Sequence, residues 1–264
     1  MPPPCIQHKG KDMNDQKNLF YQFPDKTEIT SKIIAARPHF FGTAIAVEEN
    51  IVRAAGGGEP RDVGKVNGSP IQHVEKQEGK TWIAFDGDPA LYQPDTLVEI
   101  ELDGDHRDQR RRLHTGVHLA IRCAYNYFDG IRVTEAEIAE DTSSATIKAD
   151  VPRTIDKEDI AQIDMTMRST VLKELPVTTN RAKSVDHAEE EYGHLFRVSD
   201  RHAFRGKVRL VCIDGFDVNP CSGLHHSDSN IGPYEMRADL ASGSSGKFEV
   251  RLNLSPCWMY WYGD

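Results

Sequence analysis

The sequence predicts an α+β protein, β-rich in its first part and mixed in its second. Three observations carry that class. Between Ser31 and Gly104 the chain runs in short β-branched stretches broken by Gly, Pro and Asn. At Asp105 the apolar period changes from that of a strand to that of a helix. Beyond it, helical and strand patterns follow one another without the strict alternation of a doubly wound parallel sheet.

The elements follow in order. "MPPPCIQHKGKDMNDQK" has no apolar core of the kind a secretory signal needs, and residues 1–30 read as a flexible polar tail. "SKIIAARPHFFGTAIAVEENIVRAA", "GKVNGSPIQHVEKQEGKTWIAF" and "DTLVEIELDG" read as strands and turns of a small antiparallel sheet or barrel over residues 31–104. "HRDQRRRLHTGVHLAIRCAYNYF" puts Leu113, Val117, Ala120 and Ile121 on one side of a helix that Asp129-Gly130 stops. "SATIKADVP" (144–152) is a strand, and a helix opened by Asp156 ends before Pro176. "VTTNRA" is a strand and "SVDHAEEEYG" a short helix capped by Ser184; "KVRLVCIDGF" and "KFEVRLNL" complete the pattern as strands. The second domain therefore spans 105–264, and no internal repeat is visible. The terminal "SPCWMYWYGD", with Trp258, Tyr260, Trp261 and Tyr262, reads as a packing tail or as a partner patch.

Composition narrows the function. With 38% hydrophobic and 28% charged residues, the chain is that of an ordinary globular protein. No apolar run approaches the roughly 18 residues of a membrane span. Five cysteines, odd in number and without a C-x-x-C, argue against a disulfide framework and for a reducing, cytoplasmic setting. Cys123 and Cys212 lie in apolar patterns and read as buried thiols; only Cys221 sits in loop chemistry beside histidine. A protein whose affinity rests on phosphate neutralisation is usually basic, and the net charge here is -9, so any nucleic-acid contact must be local or weak.

Two histidine pairs carry the chemistry. "LHTGVHLA" places His114 and His118 four apart on one helix face, near enough to share an ion, although two unrelated helix histidines would give the same pattern. Gly116 and Val117 stand between them, so the glutamate base of a zinc protease is missing. "NPCSGLHHSD" adds Cys221 and His225 across an easily turned Ser222-Gly223, with His226 as a spare imidazole for support or solvent. Three nitrogens and one sulfur suit zinc, which would acidify a bound water to about pKa 7 and polarise a carbonyl. Four ligands, however, also describe a closed structural site.

Two further stretches stand out. In "AAGGGEPRDVGKV" (54–66), Gly56, Gly57 and Gly58 permit close backbone approach to a substrate, or form a plain hairpin turn. "HRDQRRR" gathers Arg107, Arg110, Arg111 and Arg112 at the start of the histidine helix, where cations oppose the dipole. That run is either solvated surface or a phosphate contact.

Taken together, "GGGEPRDVG", "LHTGVHLA", "DVNPCSGLHH" and "IGPYEM…SSGKFEVRL" resemble, in order, the motifs of the alanyl-tRNA synthetase editing domain and its free-standing trans-editing relatives. The editing domain of threonyl-tRNA synthetase is similar in its second half. The resemblance covers roughly residues 31–254. It implies a small β-barrel packed on an α+β editing domain. It also implies a zinc-dependent hydrolase that cleaves the ester joining a wrong amino acid to tRNA. On that resemblance one zinc ion falls on His114, His118, Cys221 and His225, and the glycine-rich substrate motif on Gly56, Gly57 and Gly58. An aminoacyl ester is already activated, so a positioned water and a polarising backbone suffice without a covalent nucleophile.

This sequence departs from those motifs in three places. Glu59 stands where Gln is usual, Ser222 and Leu224 replace Gly and Thr of Cys-Gly-Gly-Thr-His, and the stretch from His225 to Ile231 is one residue shorter than is common. The default substrate is Ser- or Gly-tRNA(Ala), with a threonine-like or non-proteinogenic amino acid on tRNA as a close variant. Glu59 borders the pocket, Thr134 is a candidate reader of a substrate hydroxyl, and the four arginines would carry weak contact with the acceptor end. Two other readings remain open, a zinc hydrolase of a small amino-acid derivative and a binding protein with structural zinc. Oligomeric state is left open.

Overall fold

The computed structural model describes residues 16–198, 200–238 and 247–255. The chain divides into two compact units, one formed by the described residues up to Ala54 together with Asp62–Asp103, the other by Ala55–Arg61 and the chain from Gly104 onward.

The first unit is all β apart from short 3-10 turns. Its strands are β1 (Lys17–Asn18), β2 (Glu28–His39), β3 (Gly42–Val47), β4 (Glu49–Asn50), β5 (Gly64–Val66), β6 (Ser69–Gln77), β7 (Lys80–Phe85) and β8 (Leu97–Leu102). Pairings run β2-β3-β7-β6-β5-β8 and return from β8 to β2, a closed ring of antiparallel strands. Period-two alternation explains it: in β8, Val98, Ile100 and Leu102 are buried while Leu97, Glu99 and Glu101 face out. Ile33, Ile45, Val47, Val66, Ile83 and Phe85 fill the interior with them. The β5–β6 hairpin turns on Asn67-Gly68, both at positive φ (47° and 80°), which suits the twist of a two-residue loop. The tail expected over 1–30 is not borne out for its described part. Phe20 is buried, β2 begins at Glu28, and the Gln16 side chain bonds the Val47 and Thr81 backbones.

The second unit contains α1 (Gly104–Tyr127), β9 (Arg132–Ile138), β10 (Ser144–Asp150), α2 (Lys157–Val171), β11 (Val177–Ala182), α3 (Val185–Tyr192), β12 (Val208–Ile213), β13 (Asp217–Pro220), β14 (Tyr234–Ala238) and β15 (Lys247–Leu254). One antiparallel sheet has the order β14-β15-β10-β9, a second the order β11-β12-β13. Both helices with sequence caps start where expected. Asp156 accepts from Asp159 N–H while the Asp159 carboxylate accepts from Asp156 N–H, a reciprocal capping box, and Ser184 accepts from His187 N–H.

Helix α1 is buried on two sides. Leu113, Val117, Ala120 and Ala124 join Ile147, Val250, Leu252, Ile163 and Met167 in the main core. Gly116 lies against this packing, since a Cβ there would come 2.9 Å from Ile231 Cδ1. Close approach of the two segments therefore accounts for a mid-helix glycine that would otherwise cost about 1 kcal/mol. The other side of α1 is polar and also buried: Arg107, Arg110, Arg111, His114, Thr115, His118 and Arg122. Buried polar groups need partners; Arg110, Arg111, His114 and Thr115 find them in the loops that build the site, and Arg122 at the His194 and Leu195 carbonyls.

The glycine-rich segment, assigned from sequence to the β domain, belongs instead to this second unit. Gly58 O accepts from Ile138 N–H at 2.8 Å, extending the hydrogen bonding beside β9. Among the described residues no helix is long and apolar enough to cross a membrane. Cys123 is buried as expected and Cys212 only partly; both are free thiols, as is Cys221. Cys5, Cys257 and the terminal aromatic run lie outside the described residues.

Candidate metal centre

His114 and His118 stand one turn apart on α1, and the turn after β13 carries Cys221 and His225 up to them. One ligand atom from each of the four lies within 4.8 Å of every other. Cys221 Sγ is 3.5 Å from His114 Nε2 and 3.5 Å from His225 Nε2. In a tetrahedral zinc site with ordinary Zn–N and Zn–S bonds, nitrogen and sulfur ligands stand about 3.5 Å apart. The donor set, its spacing and its burial thus fit a single ion of the zinc type; the three imidazoles are each less than a tenth exposed.

Two imidazoles are hydrogen-bonded at their other nitrogen, and the third faces a carboxylate from beyond hydrogen-bond distance. His114 Nδ1–H donates to Glu59 Oε1 at 2.6 Å, His118 Nδ1 faces Asp217 Oδ2 at 3.6 Å, and His225 Nδ1 lies 3.3 Å from Thr115 Oγ1. Partners at Nδ1 fix ring orientation and leave Nε2 as the donor atom, as metal-binding histidines require. Arg122 stands 3.9 Å from the second oxygen of Asp217 and so steadies the carboxylate behind His118.

The electrostatics favour a thiolate at the centre. Burial works against ionisation of Cys221, yet His114, His118 and His225 around it hold the thiol well below its usual range. Burial likewise opposes a charged His114, but Glu59 and Cys221 hold its pKa up at about 10. At His225 burial and the neighbouring His114 act together and push the value down to about 3. Cys221 and His225 are thereby held in the forms that bind metal.

The loops are tied by backbone bonds. The turn of the glycine segment closes with Gly56 N–H to Glu59 O at 3.0 Å and Glu59 N–H to Gly56 O at 3.4 Å. Gly58 (φ 77°) has no room for a side chain, because a Cβ would sit 2.1 Å from Ala136 O. In the ligand loop, Gly223 N–H points at Cys221 Sγ from 3.3 Å and Leu224 N–H at Glu59 Oε1 from 3.3 Å. Arg209, on β12, donates from Nη1 to the carbonyls of Cys221 (2.7 Å) and Gly223 (3.0 Å).

The arginine run takes a place different from the phosphate-facing surface weighed from sequence. Arg107, Arg110 and Arg111 are buried and Arg112 is half-buried. Arg110 donates to Pro60 O at 3.0 Å, Arg111 to His225 O at 2.8 Å and Arg112 to Ile231 O at 2.7 Å. A helix that presents several cations to loop carbonyls can fix those loops without a regular strand. Thr134 is exposed on β9 and donates to Lys148 O at 3.2 Å, a bond within the sheet rather than to the cluster. His226 is turned to Asp228, 3.3 Å from its carbonyl, while its N–H donates to Thr115 Oγ1 at 3.1 Å.

Four contributors escaped the sequence reading. Thr115 and Asp217 fall inside the motifs themselves, so only their roles were missed. Gly223 is more than turn chemistry, because the absence of its Cβ makes room for the His114 ring. Arg209 carries no sequence signal; it is brought in by strand pairing, opposite the residues leading into Cys221.

Fold and site together define an α+β protein with a buried, preformed cluster of metal-ligand type. No protein-family model matches the chain. It is similar to the alanine–tRNA ligase of Methanopyrus kandleri, 26% identical over 232 residues, which cover 86% of this chain and 25% of the ligase. It is also similar to the alanyl-tRNA editing protein Aarsd1 of Bos taurus, 28% identical over 214 residues (76% of this chain, 46% of that protein). Against the Mus musculus Aarsd1 the identity is 29% over 187 residues (71% of this chain, 43% of that protein). The chain is thus a relative of alanyl-tRNA synthetases and of free-standing alanyl-tRNA editing proteins. It spans between a quarter and a half of the length of these relatives.

Proposed function

We propose that this chain is a trans-editing deacylase that hydrolyses the ester between a mischarged amino acid and its tRNA, with one zinc ion at His114, His118, Cys221 and His225. The observation that carries this reading is the cluster of three buried imidazoles and one half-buried thiol, in a chain whose relatives include proteins named for alanyl-tRNA editing. A divalent ion bound there supplies Lewis acidity toward an ester carbonyl and a water molecule.

The chain's own residues do the rest. Glu59 and Thr115 hold His114 and His225 at Nδ1, and the Asp217 carboxylate faces His118 Nδ1 from 3.6 Å. The segment Gly56–Gly58 offers side-chain-free backbone beside the exposed Ser222, whose Oγ would stand 3.6 Å from a Cβ built on Gly57. In this reading the aminoacyl group enters along those glycines, and small side chains fit best. Ser- or Gly-tRNA(Ala) is the default substrate and a threonine-like amino acid the variant, because Ser222 and Leu224 alter the ligand loop. Thr134 remains a proposed hydroxyl reader. The buried arginines hold the loops, so contact with tRNA rests on other groups and is weak.

The complete set of four ligands also suits a purely structural ion, the second reading. A deacylation panel separates them: Ser, Gly, Ala and Thr on alanine and threonine tRNAs, with His118→Ala alongside. Release from one mischarged species by the wild type alone supports editing; metal-bound, folded protein silent on every species supports the structural role.

A further inference from the structure

The glycine segment departs from the motif it resembles at one position, Glu59 in place of Gln, and that residue is among the most enclosed of the site. It is 4% exposed. Its Oε1 accepts from His114 Nδ1 at 2.6 Å and from Leu224 N–H at 3.3 Å. Through those bonds it links the glycine segment, helix α1 and the Cys221–His225 loop. We propose that Glu59 is a positioning residue for the metal: it sets the tautomer and orientation of His114 and so couples the order of the glycine segment to metal occupancy. The inference rests on the metal-site reading and goes beyond it by assigning a residue and a coupling.

The physical basis is the hydrogen bond behind a ligand. A carboxylate that accepts Nδ1–H leaves the lone pair at Nε2, fixes the ring and raises its basicity toward a cation. Glu59 is the shorter of the two carboxylate contacts. Asp217 stands 3.6 Å from His118 and shares its charge with Arg122 at 3.9 Å. A glutamine at 59 would keep an acceptor but bring no charge. With the cysteine thiolate, the Glu59 carboxylate balances the double charge of a divalent ion inside a buried site, where an unbalanced charge is costly.

Position is held from the other side as well. A Cβ at Gly223 would fall 3.1 Å from Glu59 Cδ and 2.0 Å from His114 Cε1, so the loop, the carboxylate and the ring are in mutual contact. Removing the carboxylate takes away the acceptor at His114 Nδ1 and leaves the Arg110–Pro60 bond to tie the glycine segment to α1.

The test is titration of the metal-free full chain with cobalt(II), read by the visible spectrum and by competition with a chromophoric chelator. Wild type, Glu59→Gln and Glu59→Ala are compared, with melting of each metal-free form measured in parallel. The expected affinity loss for Glu59→Ala is about 10–100-fold, the range for partners behind metal ligands. Glu59→Gln is expected to fall between, with a changed cobalt spectrum. A stabilising role alone would lower metal-free melting and leave affinity and spectrum unmoved, which overturns the proposal. Should Glu59→Ala fail to fold, the isosteric Glu59→Gln decides: wild-type affinity and spectrum in that variant overturn it. Wild type that binds no cobalt would instead remove the metal-site reading itself.

Discussion

Gly223 lies against the His114 ring so closely that a Cβ at 223 would stand 2.0 Å from Cε1 and 2.2 Å from Nδ1. The ring cannot retreat, because Glu59 holds its Nδ1 at 2.6 Å. Gly223→Ala must therefore displace the histidine or the loop. Overpacking of this kind costs about 1–3 kcal/mol. Here the expected reading is a lower melting temperature together with at least tenfold weaker cobalt(II) binding.

Gly58 meets a harder constraint, since its φ of 77° and the Ala136 carbonyl oxygen, 2.1 Å from where a Cβ would stand, both exclude a side chain. A left-handed non-glycine residue costs about 1–2 kcal/mol before any clash. Gly58→Ala should unfold at clearly lower denaturant than Gly57→Ala, whose φ of 66° is similar but whose Cβ would meet only Ser222 Oγ at an ordinary 3.6 Å. Urea melts of the two variants give the comparison.

Arg111 is buried and spends its Nε–H on the His225 carbonyl at 2.8 Å. Arg111→Met should cost about 1.5–3 kcal/mol, the worth of a charge-assisted hydrogen bond. The slope of tRNA binding against salt should stay as in wild type, since that slope counts phosphate contacts. Thermal melting and salt-dependent binding of uncharged tRNA check the two halves.

Acid should loosen the start of α2. The Arg153 guanidinium, 2.6 and 2.7 Å from Asp159, holds that carboxyl well below the usual carboxylate range, with Tyr127 OH and Asp156 N–H adding to it. A depressed folded value means the stabilisation is present above the unfolded carboxyl pKa, about 4, and is lost as pH falls below it. Metal-free Asp159→Asn should be less stable than wild type at pH 6 and approach it as the pH falls toward 2, measured by thermal melting.

Element order was legible because the local signals agree with one another. Alternation in "LVEIEL", the Asn67-Gly68 turn, and the Asp156 and Ser184 caps each pointed to the state the chain adopts. The four candidate ligands were legible for a similar reason: i,i+4 spacing on a helix and a tight Cys-x-x-x-His turn are local geometry. What lay beyond reach was long-range. Nothing near "GGGEP" says that the segment leaves the β strands around it in sequence and joins a helix 55 residues on through Glu59 and His114. The arginine run misled for a related reason. Charge at a helix start is usually solvated, and only the loop carbonyls that return from residues 225 and 231 bury it. Arg209 had no local signature at all.

The most direct measurement is metal content and coordination of the purified chain, by elemental analysis and X-ray absorption at the zinc edge. The expected result is one zinc per chain with a single sulfur and otherwise nitrogen or oxygen neighbours, and loss of both metal and sulfur contact in Cys221→Ser. A folded chain that neither holds nor takes up a divalent ion, or one whose ion keeps its coordination in Cys221→Ser, would contradict the assignment of this cluster as a metal centre.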